Sequence, residues 1–201
     1  TAPVASMNPP RNLTAMSMGY SADLHWAPPA GSDQWITNSN PEIGNALGSD
    51  AAFDFQVASR FSAPVLVEFQ GKELREVEFM GGNNVAASNY IVQVHKAGVG
   101  GQNPVLIYES EIIPGSELEE LAPNWHMIEP PIQIGVMPGT ANPNAVQVGE
   151  ELWIGLRCIS AGYAATYPAV VDNGPTNNGV GNLVNGFGSD GWVSLQDQFA
   201  L

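Results

Sequence analysis

The residues of this chain best suited to ligand chemistry fall between positions 162 and 191. Asp172-Asn173-Gly174, Asn177-Asn178-Gly179 and Asp190 set hard oxygen donors beside glycines that let backbone carbonyls turn inward, which is the donor set a calcium ion takes. Asp172, Asn173, Asn178 and Asp190 are the expected ligands, although their spacing is not that of an EF-hand loop. The competing reading is a network of Asx turns in which the same side chains satisfy backbone amides. Tyr163, Tyr167 and Trp192 bracket this segment and can stack on a sugar face, with Asn177 completing hydrogen bonds to hydroxyls. Trp192 serves equally well as a plug for one end of the core.

Other groups carry less. His25, His95 and His126 are isolated, and none has a second ligand at the spacing of a zinc site. Cys158 lies in an apolar row and reads as a small buried hydrophobe rather than a nucleophile. No Gly-x-Ser-x-Gly elbow or phosphate loop occurs, and no βαβ unit frames a dinucleotide fingerprint. Glu76 and Glu78 share one strand face, and Glu117, Glu119 and Glu120 sit on a turn; both sets read as solvated surface rather than as the facing carboxylate pair of a glycosidase.

The element that must position the 162–191 segment is Glu151-Leu-Trp-Ile-Gly-Leu-Arg-Cys-Ile159. Leu152, Ile154, Leu156 and Cys158 alternate with Trp153, Gly155, Arg157 and Ile159, and period-two spacing lays one apolar row on a sheet face. It is expected to be a central strand. Phe53, Phe55 and Val57 alternate with Asp54, Gln56 and Ala58 in a half-buried strand. Further strands are expected at Leu74–Met80, Tyr90–His95, Val105–Tyr108, Asn124–Ile134 and Trp192–Leu195, the fourth bent by Pro130-Pro131 and so unsuited to a sheet centre. Residues 13–17 and 23–26 form a hairpin-like pair. Ser62 before Ala63-Pro64 marks a short helical turn, and Ser116-Glu-Leu-Glu119 resembles a capping box. Residues 30–51 and 160–191 read as turn-rich and irregular.

With 22 glycines and 16 prolines, long helices are excluded, and the recurring short strands without βαβ alternation indicate an all-β chain. About nine or ten strands fit two packed antiparallel sheets, a β-sandwich of jelly-roll type with short helical turns. Residues 1–29 are expected to be a linker and N-terminal strand pair, and residues 30–201 the sandwich. The 20 acidic against 6 basic residues leave a net charge of −14, which repels nucleic-acid phosphate and anionic lipid. No apolar run reaches the roughly 20 residues that cross a bilayer. Thr1–Pro10 lacks the basic and apolar regions of a signal peptide and reads as a linker arriving from an upstream segment. The lone Cys158 rules out an internal disulfide.

Phe53-Asp-Phe-Gln-Val-Ala-Ser-Arg-Phe61, Gly71-Lys-Glu-Leu-Arg-Glu-Val-Glu-Phe79, Tyr90-Ile-Val-Gln-Val-His95, Glu151-Leu-Trp-Ile-Gly155, Tyr167-Pro-Ala-Val-Val-Asp-Asn-Gly-Pro175 and Gly191-Trp-Val-Ser-Leu195 together resemble the β-sandwich modules of secreted Bacteroidetes surface proteins. Those modules are similar to the cleaved-adhesin, jelly-roll class. Pro10-Arg-Asn-Leu-Thr-Ala15 and Leu24-His-Trp-Ala-Pro-Pro29 look like the opening strands of a fibronectin type III module. Members of the adhesin-like class usually continue past Trp-Val-Ser-Leu with one more strand; this sequence runs to Leu201. The resemblance implies export, surface attachment and binding, and it carries no catalytic residues. Together with the residue pattern above, the expectation is a monomeric, non-catalytic adhesion module that binds a host or bacterial surface glycan or protein through residues 162–191, with calcium the ion that the donor set there suits. The alternative is an accessory structural domain of a secreted peptidase or glycoside hydrolase.

Overall fold

The structure, a computed structural model, describes residues 11–18, 21–27, 34–38, 43–162, 165–172, 181–186 and 191–199, and only the backbone for 11–18, 21–27, 43, 171–172 and 199. The chain divides into two compact units, Thr1–Thr37 and Asn38–Leu201. The first contains an antiparallel pair, β1 (Arg11–Met18) and β2 (Ser21–Ala27), as expected for those residues.

The second unit is an all-β sandwich. Its seven-stranded sheet runs β14 (Val193–Ser194), β13 (Leu183–Asn185), β4 (Phe53–Phe61), β11 (Glu151–Ser160), β6 (Ser88–Gly98) and β7 (Gln102–Glu109), with β8 (Ile113–Pro114) also on β6. Its five-stranded sheet runs β10 (Val146–Gln147), β9 (Pro123–Val136), β5 (Glu73–Asn83), β12 (Thr166–Asp172) and β3 (Ile43–Ser49). Every pairing is antiparallel except β10 on β9. Two short helices complete it, α1 (Ala63–Leu66), which has Pro64 in its first turn, and α2 (Leu195–Phe199). No helix among the described residues is long and apolar enough to cross a membrane.

The expected central strand is central: β11 pairs along its whole length with β4 and β6. Its Leu152, Leu156 and Cys158 share a face with Phe55 and Phe61 of β4 and with Tyr90, Val92 and Val94 of β6, and all eight are buried. Opposite them, Leu74, Val77 and Phe79 of β5 and Ile128, Ile132 and Ile134 of β9 are buried too. Tyr90 crosses between the layers: its ring lies 6.2 Å from Phe79, and its hydroxyl donates 3.3 Å to the Pro168 carbonyl of β12. The cis Glu129–Pro130 bond coincides with a register slip in β9, where Leu74 pairs with Ile132 but Glu76 pairs with Met127. The two prolines therefore sit where the ladder is broken, so neither has to donate to it.

Four expectations are corrected. Residues 160–191 are not irregular throughout: β12 and β13 lie within them, and β12 is an interior strand of the five-stranded sheet. Residues 30–51 include β3, whose Gly44, Asn45 and Gly48 disfavour a strand until pairing with β12 overrides local preference. Ser116 caps nothing; the turn there is a 3-10 segment, Gly115–Glu117, entered from Pro114 without a side-chain cap. The last expected strand shrinks to Val193–Ser194 before α2 begins, because the Ser194 hydroxyl accepts 3.1 Å from Asp197 N and so caps a helix.

Leu152 is fully buried on the central strand. Leu152→Ala is expected to lower the unfolding free energy by about 3 kcal/mol in urea titration, and Tyr90→Phe by about 1 kcal/mol. A Leu152→Ala loss below about 1 kcal/mol would place the core elsewhere.

Candidate ligand-binding hollow

The site begins with a backbone irregularity. Between Thr166↔Ser49 and Ala169↔Leu47, β12 advances by one residue more than β3, which makes a bulge at Tyr167-Pro168. Pro168 fits there because it has no N–H to offer the ladder. The neighbouring strands approach so closely that side chains are excluded. A Cβ on Gly48 would lie 1.9 Å from Thr166 O and 2.4 Å from Tyr167 Cα, and a Cβ on Gly82 would lie 1.9 Å from Tyr167 O. Thr166 and Ala169 are buried on either side, yet Tyr167 between them stays 37% exposed. Bulges re-aim side chains in this way beside functional sites.

A second strained segment closes the hollow. Asn84 follows β5 in left-handed backbone (φ 59°); its N–H donates to the Glu120 carboxylate, and its Nδ2 donates 3.2 Å to Ala165 O. Leu121 is also left-handed (φ 51°), with its N–H on Gly81 O at 3.0 Å. For a residue with a Cβ that conformation costs about 1–2 kcal/mol. Leu121 is nevertheless 45% exposed, so burial of its own side chain does not explain the strain. The result is an open hollow of about 370 Å³ lined by Gly44, Asn45, Ala46, Asn83, Leu121 and Tyr167. Asn45 Oδ1 accepts 2.8 Å from Ala46 N, which leaves its amide protons as the group it can present. One aromatic face, one aliphatic side chain and two amides suit a polyol ligand.

Of the residues expected to bind ligand, only Tyr167 lies here. Tyr163 and Asn177 fall outside the described residues. Trp192 belongs to the other sheet, where it packs on Ala58, Ala97, Trp153 and Leu183 and meets Trp153 at 5.5 Å and His95 at 5.7 Å, both edge-to-face. Ala58, paired with Gly155 across the strands there, presents only a methyl to the indole. Trp192 covers the outer face of the larger sheet, apart from the Tyr167 hollow. Among the expected calcium ligands, Asp172 ends β12, and Asn173, Asn178 and Asp190 lie outside the described residues. No three His, Cys, Asp or Glu among the described residues lie close enough to share a metal ion. Asn45, Asn83 and Leu121 carried no signal in the sequence, because only the pairing of β3, β5 and β12 brings them together.

Elsewhere, a few ionisable groups are paired or buried. Burial alone would push the Glu151 carboxyl up, but the Arg60 guanidinium (Nε–Oε2 2.5 Å, Nη2–Oε1 2.9 Å) and Gly100 N–H (2.9 Å) outweigh it and hold it below the usual range. The Trp153 indole N–H adds a weak pull in the same direction; no partner meets it at bonding distance, so it is a neighbour rather than a bond. Asp54 is lowered by its paired hydrogen bonds from Arg157 at 2.7 and 2.6 Å. Cys158 is fully buried, and burial drives its thiol far up.

Burial lowers both His95, against a weaker opposite pull from Glu109, and His126, whose Nε2 sits 2.7 Å from the Tyr108 hydroxyl. An unfolded histidine titrates near about 6.5, so below that pH the unfolded chain binds more protons than the folded one. The histidine contribution is therefore intact above about pH 6.5 and is lost as pH falls toward the lower folded values. The lowered carboxyls of Asp54 and Glu151 act at a more acid pH. Thermal melts are expected to show His95→Gln losing less stability than the parent between about pH 7.5 and 5.5; parallel profiles would refute a neutral buried His95.

No family profile matches the chain, and no curated protein or solved structure matches it either.

A single methyl tests the seating of β12. Gly82→Ala is expected to lower the melting temperature by several degrees, since its Cβ would strike the Tyr167 carbonyl. Gly139→Ala, where the added carbon meets nothing within 4 Å but the backbone is left-handed, is expected to cost about 1 kcal/mol at most.

Proposed function

We propose that the chain is a non-catalytic binding module of the cell exterior that takes a neutral glycan in the Tyr167 hollow. The observation that carries this reading is the β12 bulge, which leaves Tyr167 exposed beside Asn45, Asn83 and a strained, solvent-facing Leu121. A sugar ring offers axial C–H groups to an aromatic face and hydroxyls to amides, and the hollow provides both. The net charge of −14 disfavours sulfated or uronic-acid glycans and points to neutral ones.

Two carboxylates are unsuited to acid catalysis. A glycosidase needs an acid whose pKa is raised, whereas Asp54 and Glu151 are both held anionic by arginines. Glu120, beside the hollow, accepts from Asn84 N. The resemblance to secreted surface modules supports an extracellular setting and an adhesive role.

Titration calorimetry against neutral oligosaccharides selected on a glycan array tests the reading. Tyr167→Ala is expected to weaken binding about tenfold, the loss of roughly one aromatic stacking contact, while the melting temperature stays near that of the parent. Binding unchanged in Tyr167→Ala and in Asn83→Ala would move the site elsewhere.

A further inference from the structure

The outer face of the β5–β9 pair carries a pattern that the Tyr167 hollow does not use. On β9, Asn124 and Ile128 are buried while Trp125 and Met127 point the other way, 53% and 54% exposed. Across the ladder, Glu78 stands directly opposite Trp125 and Glu76 directly opposite Met127. Glu129 continues the exposed row of β9. A tryptophan and a methionine two residues apart on a strand, each facing a carboxylate, form an apolar strip with an anionic border.

Nothing described in the second unit neutralises that border. Its five cations are engaged elsewhere: Arg60 with Glu151, Arg75 with Glu73, Lys96 with Glu150, Arg157 with Asp54, and Lys72 over the Phe69 ring at 5.6 Å. None forms an ion pair with Glu76, Glu78 or Glu129 among the described residues. The strip is therefore open to cations from outside, which a chain of net charge −14 attracts within about a Debye length.

We propose that this strip docks an extended protein segment bearing lysine or arginine at alternate positions. Side chains two residues apart on a strand lie about 7 Å apart, so the Glu76/Glu78 spacing matches cations at the same period in an extended ligand. An indole face takes an ammonium or guanidinium, and methionine moulds to the methylene stems. This site is separate from the Tyr167 hollow and does not depend on the glycan reading.

The test is calorimetry of the full chain with an acetylated, amidated (Lys-Thr)4 peptide at about 20 mM salt. Saturable binding is expected, with affinity falling about tenfold in Trp125→Ala and in the double variant Glu76→Gln/Glu78→Gln. The control double variant Glu117→Gln/Glu119→Gln removes the same charge from a turn away from the strip and is expected to bind as the parent does. Melting curves establish that each variant is folded, and all the changes are at surface positions. Equal weakening by both double variants, equal affinity for spermine, or no binding at low salt would overturn the proposal. Loss of glycan binding in Tyr167→Ala leaves this result unchanged, so the two readings fail separately.

Discussion

The spacing of the two sheets is set by Tyr90. It is completely buried, its ring lies against Phe79 of the opposite layer, and its one polar atom reaches the Pro168 carbonyl. A phenol in so dry a place has to find an acceptor, and burial, the largest influence on it, drives its pKa far up. The acceptor it finds belongs to the bulge of β12, so the contact that joins the layers also fixes the irregularity that exposes Tyr167. Gly48 and Gly82 complete the arrangement by letting backbone replace side chain on both flanks. Fold and candidate site thus share one constraint, a strand pressed between two others and pinned from beneath.

The alternation in Phe53–Phe61 and Glu151–Ile159 was enough to identify the paired strands at the centre of the larger sheet, because burial on one face leaves a period of two in the residue types. The same logic failed for β3 and β12. β3 is built from Gly, Asn and Ala, with Ile43 and Leu47 its only large apolar residues, and Thr166-Tyr-Pro-Ala-Val-Val-Asp has a proline and a bulge that break the count. Such strands exist because their neighbours pair with them, and that is not written in their own residues. Tyr167 was legible as an exposed aromatic in polar surroundings. Its companions were not, since Asn45, Asn83 and Leu121 converge only through register. Grouping Tyr167 with Trp192 failed for a related reason: closeness in the chain says nothing about which sheet a residue joins.

Charge is distributed with similar economy. The described basic residues of the sandwich unit each have a defined neighbour, two of them in bidentate pairs on the outer face of the larger sheet. Breaking such a pair by removing the cation leaves a carboxylate stranded, which is why these pairs fix position more than they add stability. Most of the remaining carboxylates sit at turns and on the face of the smaller sheet, where solvent and salt screen them.

The edge-to-face meeting of Trp153 with Trp192, with the His95 ring against the same indole, has an optical consequence. Two indoles held 5.5 Å apart at 80° couple their transitions, so this pair should dominate the near-ultraviolet circular dichroism of a chain with five tryptophans. An imidazolium quenches indole emission on contact. This aromatic cluster thus gives the molecule an intrinsic chromophore whose brightness follows the protonation of one buried ring.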